Sequence, residues 1–305
     1  MSFSVKSIRK EFQSKGIFYT PKELAEYIKS FLPKDVKEVY DPTCGDGGLL
    51  GVFDDNVKKY GQEINQDQLE VARQNLVNFT GICGNTLKEP GFIDRKFDYI
   101  VANPPFSIEW EPEDSVIFHG APTIPTKSKA DYAFILHCLY MLGKGKAVIM
   151  EFPGVLYRGG REGQLRQWLV DNNYIEKIVS VPEKQFEDTS IATCIIVLSK
   201  NKTNTDVIFV DKETSQEKVV SFEEIKKNDY CLSVSRYIDT TPEKTKELEE
   251  FDPLEEVYSH REFLCRFIEN AIKEEHLICS LHDDWYLRDL KEYLIEFIKN
   301  VNPED

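Results

Sequence analysis

Val36-Lys37-Glu38-Val39-Tyr40-Asp41-Pro42-Thr43-Cys44-Gly45-Asp46-Gly47-Gly48-Leu49-Leu50 is the stretch that decides the fold. It reads as a β-strand running to Asp41, after which Gly45, Gly47 and Gly48 turn the chain into the helical Leu49-Leu50. Glycines at a strand-to-helix turn let backbone amides approach a ligand closely. They do so at the carboxyl end of a sheet, where open α/β folds bind their cofactors. The ligand such a turn suits is the methionine part of a cofactor. Taken alone, a glycine-rich turn is equally compatible with an ordinary strand-to-helix connection.

Outward from this turn, β-rich runs alternate with helical stretches. The runs are Val36 to Asp41, Lys59 to Glu63, Thr80 to Cys83, Asp98 to Ala102, Ala147 to Phe152, Ile175 to Val181 and Thr193 to Leu198. This alternation predicts a mostly parallel, doubly wound α/β sheet of seven strands. Pro182 to Ala192 is too short and polar for a crossover helix, so the terminal strand should pair antiparallel with the one before it. Amphipathic helices are predicted over Pro21 to Leu32, with Leu24, Tyr27, Ile28 and Phe31 on one face, and over Tyr132 to Leu142, with Phe134, Ile135, Cys138 and Leu142. A run at Val207 to Val210 leads through a polar stretch to Phe222 to Tyr237, which closes the first domain, residues 1–240. Beyond Pro242, Leu254 to Ile272 and Trp285 to Val301 have helical periodicity, which predicts a helical region over residues 241–305.

The second strand ends in Gly61-Gln62-Glu63-Ile64-Asn65, placing an acid where dinucleotide folds hydrogen-bond ribose hydroxyls; an exposed Glu after a strand is equally ordinary. The third ends in Gly84-Asn85-Thr86-Leu87, in which Asn85 could meet an adenine edge or simply form a turn. The most informative run is Phe97-Asp98-Tyr99-Ile100-Val101-Ala102-Asn103-Pro104-Pro105-Phe106. An exocyclic amine has two N–H groups, which the side-chain oxygen of Asn103 and the carbonyl of Pro104 can both accept. That draws the nitrogen lone pair toward a methyl donor. Phe106 can stack on a base that has lost its neighbours by flipping out of a helix.

Together, Asp41 to Gly48, Glu63 and Asn103 to Phe106 resemble the cofactor and catalytic motifs of N6-adenine DNA methyltransferases. Gly16-Ile17-Phe18-Tyr19-Thr20-Pro21 resembles the element that completes the cofactor pocket in that family, here within residues 16–32. Three further segments resemble the methylation subunit of type I restriction-modification systems: Gly154 to Gly160; Pro182-Glu183 with Phe186, Thr189 and Ile191; and Asn228-Asp229-Tyr230 with Arg236-Tyr237. The resemblance covers roughly residues 12 to 240. It implies a Rossmann-like methyltransferase fold and S-adenosylmethionine as cofactor. The cofactor would be held by Tyr19, Thr20, Asp41, Pro42, Cys44, Gly45, Gly47, Glu63, Ile64, Asn85, Thr86 and Asn103. It also implies catalysis by Asn103, Pro104, Pro105 and Phe106, without a metal. Asn85 stands where an Asp is usual, and Glu151-Phe152-Pro153-Gly154 replaces the more usual Leu-Pro-Asn-Gly. Only fifteen residues precede Gly16, where family members carry a helical domain that helps to hold DNA. The same Asn-Pro-Pro-aromatic arrangement also serves enzymes that methylate a protein glutamine or a ribosomal RNA guanine. A non-catalytic subunit that binds only cofactor or partner is a third reading.

Composition sets the remaining expectations. The 305 residues carry a net charge of -15, with 8 basic against 18 acidic residues from Thr240 onward. A protein that grips DNA alone normally shows a basic face. The resemblance therefore implies double-stranded DNA as substrate, a separate DNA-specificity subunit that docks on the C-terminal helices, and room in the assembly for a restriction subunit. Trp285, Tyr286 and Tyr293 are candidate anchors for that docking, although the same apolar stripes would equally serve to cap the fold. Seven scattered cysteines, none in a CxxC pair, indicate neither zinc nor a disulfide framework. The opening Met1 to Phe12 lacks the apolar run of a signal peptide, and no segment is long and apolar enough to cross a membrane, so a cytoplasmic location is expected.

Overall fold

The computed structural model describes residues 20–183 and 192–239. Tyr19, the Phe186, Thr189 and Ile191 positions, and both expected C-terminal helices lie outside them. The strands are β1 (Glu38–Asp41), β2 (Lys58–Glu63), β3 (Phe79–Cys83), β4 (Phe97–Ala102), β5 (Leu142–Glu151), β6 (Ile175–Val181), β7 (Thr193–Ser199), β8 (Val207–Asp211) and β9 (Glu217–Val220). They form one sheet in the order β3-β2-β1-β4-β5-β7-β6-β8-β9. β7 runs antiparallel to both β5 and β6, as the short Pro182 to Ala192 connection requires.

The expected α/β class is present, but two details of the sheet need correcting. It carries nine strands among the described residues rather than seven, because β8 adds in parallel to β6 and a hairpin brings β9 alongside β8. In addition, β7 is an internal strand rather than the sheet's edge. β9 escaped sequence reading because its first three residues are exposed, so it carries no inward alternation.

Strand alternation divides the core in two. Ile100, Ala102, Ala147, Ile149, Ile178, Ile196 and Leu198 face one side, where α3 (Asp131–Met141), α4 (Gly160–Asp171) and α5 (Phe222–Lys227) cover them. Val101, Val148, Met150, Val179, Ile195 and Val197 face the other, under α1 (Lys22–Lys29) and α2 (Gln66–Asn75). Leu24, Ala25 and Ile28 are the buried stripe of α1, close to the expected one. α3 is different: ten of its residues are buried, so its sequence shows little one-sidedness. Leu142, expected on its apolar face, is instead the first residue of β5.

β1 lies between β2 and β4, and the chain order reverses there. The crevice at the carboxyl ends of β1 and β4 is where such sheets place a ligand. Among the described residues no helix is long and apolar enough to cross a membrane.

Candidate functional site

The turn after β1 is built around Asp41, which is 1 % exposed and whose Oδ1 accepts the Thr43 amide at 2.9 Å. The Cys44 amide then donates to the Gln62 carbonyl at 3.0 Å, tying the turn to β2. Gly45 and Gly47 have φ of +53° and +88°, which side chains rarely adopt. A Cβ on Gly45 would point into open space, whereas one on Gly47 would strike Leu76. Gly45 therefore faces open space, and Gly47 lets the turn pack on the end of α2.

Glu63, at the tip of β2, closes this turn. Its carboxylate accepts the Gly45 amide at 3.0 Å and the Asn65 amide at 2.9 Å. The Asn65 side chain in turn accepts the Asp67 and Gln68 amides and so starts α2. One acid thus sets the cradle's shape and remains at the wall of a cavity.

That cavity, about 510 Å³, is lined by Pro42, Thr43, Gly45, Glu63, Ile64, Gln68, Gly84 to Lys88, Asn103, Pro105, Ile108 to Glu111 and Phe134. A second, small lobe is lined by Thr20, Asp41, Cys44, Asp46, Gly48 and Leu49, and it shares Thr43, Gly45, Gln68 and Asn103 with the first. The structure thus brings together Thr20, Asp41, Pro42, Cys44, Gly45, Glu63, Ile64, Asn85, Thr86, Asn103 and Pro105 of the expected residues. Gly47, Pro104 and Phe106 line neither lobe. Ile64 is 66 % exposed, an apolar side chain laid open at the cavity.

The loop after β3 has a buried polar support. Thr86 Oγ1 donates to Gln62 Oε1 at 3.2 Å and lies 3.4 Å from the Tyr40 hydroxyl, which lies 3.2 Å from His137 Nε2. Burial pushes the His137 imidazole down to about 3, so it stays neutral. Asn85 Oδ1 accepts the Leu87 amide at 3.0 Å, so this oxygen forms the turn and is already engaged.

Asn103 has an unpartnered atom at the cavity itself. Its amide nitrogen donates to the Thr20 hydroxyl at 3.0 Å, while its Oδ1 is buried without a hydrogen-bond partner. Gln68 Oε1, also on the shared wall, has none either. Two such orphaned acceptors beside one cavity are expected of a site shaped for a donor-bearing ligand. Sequence reading missed Gln68, whose signal is only its place on the first turn of α2. It also missed the wall from Ile108 to Glu111. There the Trp110 amide donates to the Lys127 carbonyl at 3.0 Å and its indole to the Thr126 carbonyl at 2.8 Å, a long-loop closure without periodicity.

Asp41 carries a pH signature. Burial, assisted by the Glu63 charge, pushes its carboxyl up to about 7 against the pull of the Thr43 amide. A carboxyl whose folded value is raised stabilises the fold while protonated, and that contribution fades as pH rises toward 7. A cationic ligand group placed in the small lobe would favour the charged form and displace the proton. Binding of S-adenosylmethionine is accordingly expected to strengthen as pH rises from about 5.5 to 7.5, with a limiting slope of about tenfold per unit below 7. Calorimetry in two buffers of different ionisation enthalpy would show the proton release, and Asp41→Asn should flatten the profile. An equally steep profile in the variant would assign the proton elsewhere.

Comparison with known proteins finds relatives of the chain as a whole. The family model described as N-6 DNA Methylase matches residues 5–219. The chain is 34% identical over 296 residues to the methylase subunit of the type I restriction enzyme MpnII from Mycoplasma pneumoniae, covering 76% of this chain and 54% of that one. It also resembles the crystal structure of a type I restriction-modification system methyltransferase subunit from Streptococcus thermophilus. That match has a TM-score of 0.67 and 32% identity and covers 73% of this chain and 59% of the other. A putative class I S-adenosylmethionine-dependent methyltransferase from Listeria monocytogenes shares the fold at a TM-score of 0.52 and 18% identity, covering 69% of this chain and 74% of that one. The chain spans about half the length of the curated relatives it matches.

Proposed function

Because the chain belongs to the N-6 DNA methylase family, we propose that it transfers a methyl group from S-adenosylmethionine to the N6 amine of an adenine flipped out of DNA. The observation that carries this reading is the orphaned Oδ1 of Asn103, buried beside the cavity at the carboxyl end of β4. The cradle fits the cofactor: Gly45 leaves open the space a Cβ would fill, Asp41 suits an ammonium, and Glu63 suits ribose hydroxyls. Thr20, Pro42, Cys44, Ile64, Asn85 and Thr86 would complete the binding wall, with Gln68 added to the expected set. S-adenosylmethionine, when bound, supplies an electrophilic methyl group.

The rest is done by side chains and backbone of this chain. Thr20 accepts from the Asn103 amide nitrogen and so turns Oδ1 toward the substrate amine. Asn103 Oδ1 and the Pro104 carbonyl each accept one N–H, which localises the lone pair on the nitrogen facing the methyl group. These acceptors gain strength as positive charge grows on that nitrogen, so they favour the transition state over the ground state. Phe106 stacks on the base. The product nitrogen sheds a proton readily, so no dedicated base is required.

We assign catalysis to residues 1–240; the net negative charge of residues 241–305 would favour a basic specificity partner over DNA phosphates, in the cytoplasm. That partner would choose the target sequence, and a restriction subunit could join the same assembly. The test offers labelled S-adenosylmethionine with unmethylated genomic DNA, total RNA and a protein lysate. Label should enter DNA, and a partner that binds residues 241–305 should raise the amount. Label confined to protein or RNA would replace this reading by a glutamine or guanine methyltransferase.

A further inference from the structure

The residue after Phe106 is held by a charged network. Ser107 has φ of +52°, a left-handed conformation that costs energy for any residue with a Cβ and persists only where its surroundings hold it. Its amide donates to Asp131 Oδ1 at 2.5 Å and its hydroxyl to Asp131 Oδ2 at 3.3 Å. Asp131 is fully buried at the start of α3. Arg158 reaches the same carboxylate from the far side: Nη1 donates to Asp131 Oδ2 at 2.9 Å and Nη2 to the Ser107 hydroxyl at 3.3 Å. Glu162 takes further bonds from Nη1 at 3.2 and 3.3 Å. The guanidinium thereby bridges two carboxylates and the serine.

Arg158 is itself fixed. A Cβ on Gly154 would collide with its guanidinium, so the glycine there makes room for the side chain to fold back. The Arg158 carbonyl accepts from Arg166 Nη1 at 2.7 Å, and Arg166 Nε donates to the Tyr230 carbonyl at 2.7 Å. Tyr230 has φ of +55°, after Asp229 at +54°. A continuous chain of bonds therefore runs from Tyr230 through Arg166, Arg158 and Asp131 to Ser107. It gives Gly154 to Gly160 and Asn228 to Tyr230 a shared task.

We propose that Asp131 and Arg158 are positioning residues that hold the Asn103 to Phe106 loop in its amine-accepting geometry through Ser107. The inference rests on the methyltransferase reading for its chemical meaning, and on the network alone for its structural content. A planar guanidinium suits the task because it presents two parallel donors to two acceptors on different segments, which an ammonium cannot copy. A small displacement of the acceptors matters because misplacing reacting groups by about 1 Å can cost on the order of a hundredfold in rate.

The test uses the full chain and two readouts. Hydrogen exchange followed by mass spectrometry should show faster exchange of the peptide covering residues 103–110, by about tenfold or more, in Asp131→Asn and Arg158→Ala. The β7 peptide should be unchanged. Ser107→Ala, at an exposed position, removes only the hydroxyl bonds and should give a smaller increase without endangering the fold. Unchanged exchange over 103–110 in all three variants overturns the proposal, whatever happens to activity. So does a Ser107→Ala effect shared equally by β7. In methyl transfer to unmethylated genomic DNA, kcat should fall by on the order of a hundredfold in Arg158→Ala and recover only in part in Arg158→Lys. The dissociation constant for S-adenosylmethionine should move by less than about threefold. Equal losses of kcat and cofactor affinity would reduce the network to a structural brace and overturn the positioning role. A wild-type chain that shows the exchange pattern but transfers no methyl group to DNA refutes the function proposed above and leaves the network intact.

Discussion

Asn103→Ala is expected to lower methyl transfer to DNA by roughly two to three orders of magnitude while changing S-adenosylmethionine affinity only a few-fold. The magnitude is that of removing one preorganised group aimed at charge developing in a transition state. Asn103 Oδ1 is buried without a partner, so its hydrogen-bonding capacity is withheld from the resting protein and available to the substrate. The neighbouring Nδ2 is already committed to Thr20. Rapid-quench kinetics and calorimetry on the same preparation separate the two effects. Asn103→Asp is informative as well: it keeps an acceptor but loses the donor to Thr20, so it should recover part of the rate. A loss of cofactor affinity as large as the loss of rate would mean that Asn103 serves the cofactor rather than the amine.

Gly45→Val is expected to weaken S-adenosylmethionine binding by at least about a hundredfold. A β-branched residue at φ +53° carries backbone strain of about 1–3 kcal/mol, and its side chain would enter the open space in front of the turn. It would also displace the Gly45 amide from Glu63. The last contact makes a companion prediction. Glu63→Ala should weaken binding by about tenfold or more, since it removes both the proposed ribose acceptor and the anchor of the cradle, and each tenfold is about 1.4 kcal/mol. Calorimetry with S-adenosylmethionine measures both, and thermal unfolding without ligand tells a lost site from a lost fold. Near-normal affinity in Gly45→Val would remove the turn after β1 from the cofactor site.

The parts of this site that could be read from sequence are those built from neighbours in the chain. Asp41, Gly45, Glu63 and Asn103 each sit at or just past the carboxyl end of a strand whose alternation or apolar run announces it, so the fold delivers them to one end of the sheet. The sheet was legible for the same reason from β1 to β7. Its limits are physical too. α3 is buried on nearly every side, which erases the periodicity that marks where a helix stops. β9 lies at the sheet's edge with three exposed residues and offers no pattern. Trp110 and the Ser107–Asp131–Arg158 network depend on contacts between segments 16 to 27 residues apart, which only the folded chain brings together. Asn85 shows the converse. The turn-forming role open to it in sequence is the one its side-chain oxygen adopts.

Asn103 and Pro104 are proposed to direct a methyl group to one particular nitrogen, the N6 amine of adenine. The most direct measurement is nucleoside mass spectrometry on unmethylated DNA incubated with the wild-type chain and S-adenosylmethionine, with the Asn103→Ala chain alongside. N6-methyl-2′-deoxyadenosine is expected from the wild type and almost none from the variant. N4-methyl-2′-deoxycytidine as the main product, or N6-methyladenine formed equally by both chains, would contradict it.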